Sequence, residues 1–220
     1  EKIIIPDSVT EIGASAFEGC EDLQEVIIGE NVRSIQNNAF EGCSSLMEIA
    51  LPSGITRISN SLFQQCTSLK KVIIPYGLIS IEGGAFMNCT SLKSINLPDS
   101  ILSIEKDAFG ECKSLERVEL PSDLTIIEDY TFSGCSSLRE IIFGEKLMLI
   151  SEWAFANCTS LSSIRIPKSI KFVEYSAFYN CSRLRDFKCK FASVTGTFLI
   201  IDGVLKAFAP ADQATAVIPN

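Results

Sequence analysis

Ala85-Phe86-Met87-Asn88-Cys89-Thr90-Ser91-Leu92 decides the fold, because variants of it return every 23 residues along the chain. Cysteines stand at Cys20, Cys43, Cys66, Cys89, Cys112, Cys135, Cys158 and Cys181, each with a Phe three residues before it and a Leu three after. An unbroken period of this kind argues for one elongated array of coils rather than two globular domains.

Working outward from the Cys, an apolar pair with one residue between follows the Leu, as in Val26/Ile28, Val72/Ile74 and Ile164/Ile166. That alternation predicts a short strand with one buried face. Pro or Gly comes next (Pro52, Pro75, Pro98, Pro121, Pro167; Gly29, Gly144) and turns the chain. A second apolar pair, three residues apart (Val32/Ile35, Ile55/Ile58, Leu124/Ile127), lines the opposite wall. Small residues before the Phe and Gly or Asn before the Cys read as a short helical turn being stopped. Each coil alone exposes its apolar edge, and stacking buries it. The strands are expected to add into one parallel sheet on one face, on the order of 40 Å long for nine strands at ~4.8 Å spacing. The fold class is therefore an α/β solenoid of 23-residue coils, with short helical turns and loops away from the sheet.

The stretch Ile5-Pro6-Asp7-Ser8-Val9-Thr10-Glu11-Ile12, running on through Ala16-Phe17-Glu18-Gly19-Cys20 to Leu23, resembles the BspA-like class of leucine-rich repeat proteins. The resemblance covers residues 1 to about 190 in about eight coils. It implies a leucine-rich-repeat solenoid from a bacterial or protozoan surface-displayed or secreted protein, binding extracellular matrix or other cells without catalysis. Localisation is accordingly expected to be extracellular or at the cell surface.

The period fails after Cys189. Phe198 to Phe208 reads as two strands around Asp202-Gly203, a β-hairpin insertion spanning 191–215. Ala216-Val217-Ile218-Pro219-Asn220 resembles Ile4-Ile5-Pro6-Asp7, so the array is expected to resume at 216–220. The opening Glu1-Lys2-Ile3-Ile4-Ile5-Pro6 superposes on the middle of a repeat, which reads as a segment of a longer chain with no signal peptide at this point.

Composition narrows the chemistry. With 19 basic against 27 acidic residues and a formal charge of -8, the chain as a whole repels phosphate backbones and anionic lipid, so nucleic acid is not an expected partner. No apolar run is long enough for membrane insertion by this segment. There is no histidine, which removes Ser-His-Asp and Cys-His nucleophiles and the HExxH zinc site. The nine cysteines include no CxxC and eight of them repeat a full coil apart, Cys189 taking the place of a strand Ile, so they read as free buried thiols rather than metal ligands or disulfides. No enzyme activity, metal or cofactor is expected. The Asn-Cys-Thr and Asn-Cys-Ser triplets at 88–90, 157–159 and 180–182 match the glycosylation sequon, but each carries a buried Cys, so their hydroxyls read as bonding turn backbone.

Binding is left. One strand side chain per coil points outward between the buried pair, and Ile4, Ile27, Ala50 and Ile73 make an apolar stripe there. A second cluster has Ile126, Leu149 and Phe172 in one column and Tyr130 and Trp153 in another. Exposed aromatics are enriched at binding hot spots. The leading expectation is a non-enzymatic adhesion scaffold recognising an extracellular-matrix or cell-surface protein or glycan. The alternative is an architectural stalk that spaces other domains and has no ligand of its own.

Overall fold

The computed structural model describes residues 1–174, 176–188, 198–201 and 204–208. Its strands are β1 (Lys2–Ile5), β2 (Glu11–Ile12), β3 (Glu25–Ile28), β4 (Ser34–Ile35), β5 (Glu48–Ala50), β6 (Arg57–Ile58), β7 (Lys71–Ile73), β8 (Ser80–Ile81) and β9 (Ser103–Ile104). They continue as β10 (Arg117–Glu119), β11 (Ile126–Ile127), β12 (Glu140–Ile142), β13 (Leu149–Ile150), β14 (Ser163–Arg165), β15 (Phe172–Val173), β16 (Asp186–Lys188), β17 (Phe198–Ile201) and β18 (Val204–Phe208). Cys189, the Asp202-Gly203 turn and the expected restart at 216–220 lie outside the described residues. The last two strands pair antiparallel, with Phe198 opposite Phe208 and Ile201 opposite Val204.

All other ladders are parallel, and each joins residues 23 apart, such as Ile4 to Ile27 and Ala50 to Ile73. Because the offset equals the period, equivalent residues stack in columns. The Phe column shows the consequence: Phe17, Phe40, Phe63, Phe86, Phe109, Phe132, Phe155 and Phe178 stack with neighbouring ring centroids 5.2–5.9 Å apart. Phe40 through Phe155 have no solvent exposure. The Cys and Leu columns pack into the same core.

Three features depart from the sequence reading. First, the front wall is not one ladder but three: β1-β3-β5-β7, β10-β12 and β14-β16. The first gap falls at the coil of Ser94–Leu97, which keeps a single bridge, Ser94 to Arg117. Asn96 holds the outward place there, and Asn is a poor strand former. The second gap, between β12 and β14, has no such residue to account for it. Second, the opposite wall carries strands of its own, in the ladders β2-β4, β6-β8-β9 and β11-β13-β15.

Third, there is no helix among the described residues, so the expected short helical turns do not form and the α part of the α/β description falls. The cause lies in the hydrogen bonds of the Phe-to-Cys stretch. Alternate amides bond within the coil to the residue three before, as Glu41 to Asn38 and Cys43 to Phe40. The amides between them cross to the next coil, as Asn38 to Asn60, Phe40 to Leu62 and Gly42 to Gln64. A helix needs every amide to point along its own axis, and here half point across the stack. Left-handed backbone at Asn38 (φ 61°) and Gly42 (φ 71°) brackets the stretch and turns alternate amides outward.

Cysteine does more than fill space. Each thiol from Cys43 to Cys181 donates to the carbonyl of the Phe one coil back, as Cys89 Sγ to Phe63 O at 3.1 Å and Cys112 Sγ to Phe86 O at 3.1 Å. That carbonyl already accepts an amide of its own coil, Cys66 N to Phe63 O at 3.0 Å, so the thiol takes the second lone pair. A serine would be more polar in this dry place, and an alanine would leave the lone pair empty. Cys20 is the exception to the expected burial: it is exposed. Two of the three triplet hydroxyls bond backbone, and do so across coils: Thr90 Oγ1 donates to Thr67 O at 3.3 Å and Thr159 Oγ1 to Ser136 O at 3.3 Å.

Gly144 shows how tightly coils approach where the turn residue is Gly rather than Pro. A Cβ there would lie 2.6 Å from Ser122 O and 2.8 Å from Pro121 O, both rigid backbone. Gly144→Ala is expected to cost about 1–3 kcal/mol through overpacking. Gly77→Ala, with nothing within 4 Å of the new Cβ, is expected to be neutral. Thermal melts of the two variants check this, and equal melting temperatures would contradict it.

Candidate functional site

The outward row of the front wall starts with Ile4, Ile27, Ala50 and Ile73. Strand pairing places Ile4 beside Ile27 and Ala50 beside Ile73. Ile4, Ile27 and Ile73 are 65%, 44% and 52% exposed. Ala50 is exposed too, but short, so it leaves a notch between two β-branched neighbours. A shallow depression of 360 Å³ forms there, with Glu25, Glu48 and Lys71 among its lining side chains. Lys2 Nζ lies 2.8 Å from Glu25 Oε1, an exposed pair that tidies the rim rather than stabilising the fold.

Farther along the same wall the row turns polar. Asn96 and Glu119 interrupt it, and Arg117 Nε pairs with Glu140 Oε2 at 2.8 Å. A second depression, 630 Å³, lies over Ile142 and Arg165 with Glu140, Glu145 and Arg139 at its margin. The unbroken apolar row of the front wall thus ends after its first four coils, and Ile142 returns as an isolated apolar residue in the outward place.

The second predicted cluster lies on the back wall. Register pairs Ile126 with Leu149 and Leu149 with Phe172. Phe172 is 58% exposed, and Ile126 and Leu149 less so. Tyr130 and Trp153 stack with ring centroids 6.2 Å apart and planes within 1°. Sequence reading missed Tyr179, which meets Trp153 edge to face at 4.9 Å. Its signal was available: the place two before the Cys holds Glu18, Glu41, Gln64, Met87, Gly110, Ser133 and Ala156 in other coils, so an aromatic there is unusual. Sequence reading also missed Tyr76, at the turn after β7 and 89% exposed.

The structure therefore brings the nine candidate residues together as two separate groups on two walls. In the column of Tyr130 and Trp153, burial raises the Asp107 carboxyl above its usual value, Lys106 opposes this and Asp129 adds to it. The strongly shifted groups are the core thiols, where burial pushes Cys43, Cys112 and Cys181 up to about 12 and Cys66, Cys89, Cys135 and Cys158 higher still or well above the usual value. A thiol held protonated is a poor nucleophile and a poor metal ligand. No group of three or more His, Cys, Asp or Glu among the described residues is arranged to hold a metal ion.

A family model described as the BspA type leucine rich repeat region matches residues 1–116 and 103–195 in six copies. Among solved structures, a leucine-rich repeat protein from Bacteroides ovatus is 31% identical with a TM-score of 0.69, over 84% of this chain and 56% of that one. The chain thus spans little more than half the length of that protein. The leucine rich repeat protein of T. pallidum is 29% identical with a TM-score of 0.70, over 84% of both chains. A leucine rich cell surface protein from Faecalibacterium prausnitzii, 23% identical over 84% of this chain and 72% of that one with a TM-score of 0.50, shares the fold alone. No curated protein matches.

Proposed function

Since the chain belongs to the BspA type leucine rich repeat family, we propose that it is a non-catalytic adhesion scaffold, displayed outside the cell, whose front wall docks a matrix or cell-surface protein. The observation that carries this is the aliphatic row Ile4, Ile27, Ala50 and Ile73, with three isoleucines 44–65% exposed around a notch. Nothing in the fold requires isoleucine there, because the same outward place holds Asn96, Glu119 and Arg165 in later coils. An exposed apolar strip with a charged rim has the composition of a protein interface. The cell-surface description of the Faecalibacterium protein supports the location.

The test is a double variant, Ile27→Lys with Ile73→Lys, measured for binding to matrix proteins and to intact cells. Both side chains point to solvent, so folding is expected to survive. Loss of two central apolar contacts and the added charge are expected to weaken binding by at least about 10-fold. Unchanged affinity would remove the front wall from the account. No binding by the parent chain would favour the spacer reading.

A further inference from the structure

On the back wall of the coils that carry β11, β13 and β15, three kinds of surface run side by side along the stack. Ile126, Leu149 and Phe172 form an apolar lane in strand register. The next residues to face outward are acidic: Glu128 and Asp129 in one coil, Glu152 in the next, Glu174 in the third, all exposed. Then comes an aromatic lane, Tyr130 stacked on Trp153, with Tyr179 closing its far end.

The aromatic lane runs against local conformational preference. Tyr130 and Trp153 hold left-handed backbone, φ 58° and 59°, at a place where other coils use Ser15, Asn38, Ser61, Gly84 or Asp107. Bulky side chains are rare in that conformation and small polar ones common. Placing two stacked aromatics there sacrifices local fit without adding to the core, since Tyr130 remains 41% exposed. Three of these four acids are equally unspent: the side chains of Glu128, Glu152 and Glu174 have no ion-pair or hydrogen-bond partner among the described residues, while Asp129 Oδ1 accepts from Glu152 N at 3.1 Å.

We propose that this ledge recognises a cationic polypeptide segment, with an Arg or Lys head group over the outer face of Tyr130 and against the Glu128 and Glu152 carboxylates, and its alkyl stem along the apolar lane. Ring faces are electrostatically negative and attract cations within about 6 Å of the centroid. Adjacent unpaired carboxylates add to that attraction, and long basic side chains naturally lay an apolar stem on such a strip. A neutral sugar would use the rings but leave the carboxylates unneutralised. The ledge lies on the opposite wall from Ile27 and Ile73, so it stands or falls independently of the front-wall proposal.

Trp153 is the single tryptophan of the chain and reports on the ledge directly. Titrating the full chain with a hexa-arginine peptide is expected to change its emission saturably, with the affinity read in parallel by calorimetry. Tyr130→Asn places at this site the residue that Asn38 already supplies at φ 61°, so it is expected to fold with an unchanged melting temperature. Binding should nevertheless weaken about 5-fold or more. The pair Glu128→Gln and Glu152→Gln should weaken it similarly, while Glu48→Gln on the front wall should not. Equal binding of hexaglutamine, unchanged affinity in Tyr130→Asn, or saturation of the Trp153 signal by a cello-oligosaccharide but not by the peptide would each overturn the assignment.

Discussion

Phe86→Ala is expected to lower the stability of the array by about 3–5 kcal/mol, the range for removing a fully buried Phe from a core that cannot collapse. Its ring has no exposure and stacks between Phe63 at 5.5 Å and Phe109 at 5.3 Å. Deletion therefore strips contacts from both neighbours at once. In a stack where each coil touches only the coils beside it, the loss falls on two adjacent interfaces, and the array is expected to unfold in two steps about the lesion. Phe17→Ala, in the first coil and only partly buried, is expected to cost less than about half as much. Urea unfolding followed by circular dichroism separates the cases, since equal losses at the two positions would contradict a core built from a continuous Phe column.

Raising the pH from 8 to 11 is expected to unfold the protein through its thiols. Burial holds Cys43, Cys66, Cys89, Cys112, Cys135, Cys158 and Cys181 far above the ordinary value of 9.0. Above pH 9 the unfolded chain releases these protons while the folded chain keeps them. The folded state then binds more protons, so stability falls as pH rises. It is fully present below pH 9 and is lost as the pH climbs toward 12. A single such thiol is worth about 1.4 kcal/mol per pH unit in that window, against about 5–15 kcal/mol for the whole stability of an ordinary domain. Cys89→Ala, which removes one such proton, is expected to flatten the slope of stability against pH by about 1.4 kcal/mol per unit even though it lowers the starting stability. A stability constant from pH 8 to 10.5 would mean that the thiols titrate normally in the fold.

Much of this could be read from residues in isolation. From Phe40 to Leu161 the Phe, Cys and Leu at fixed offsets in each coil are core residues in the structure, and the alternation at Val26/Ile28 or Val118/Leu120 marks front-wall strands. The columns of candidate binding residues were also legible, because a period of 23 matched to a register of 23 makes sequence equivalence into spatial adjacency. Tyr179 escaped because it joins Trp153 from a different place in the coil, off its column. The thiol-to-carbonyl bonds escaped because Cys reads as a small apolar residue until the carbonyl one coil back is in view.

What the sequence determined alone is the stacking itself: residues that must leave water recur at one interval, and only superposed coils bury all of them. What the tertiary structure decided is how the backbone closes each coil. Local propensity at Ala39-Phe40-Glu41 is compatible with a helical turn, yet half of the amides there find their acceptors 22 residues onward, in another coil. A preference set by neighbours a few residues away does not register such partners. The helix is consequently replaced by turns, and the back wall gains strands.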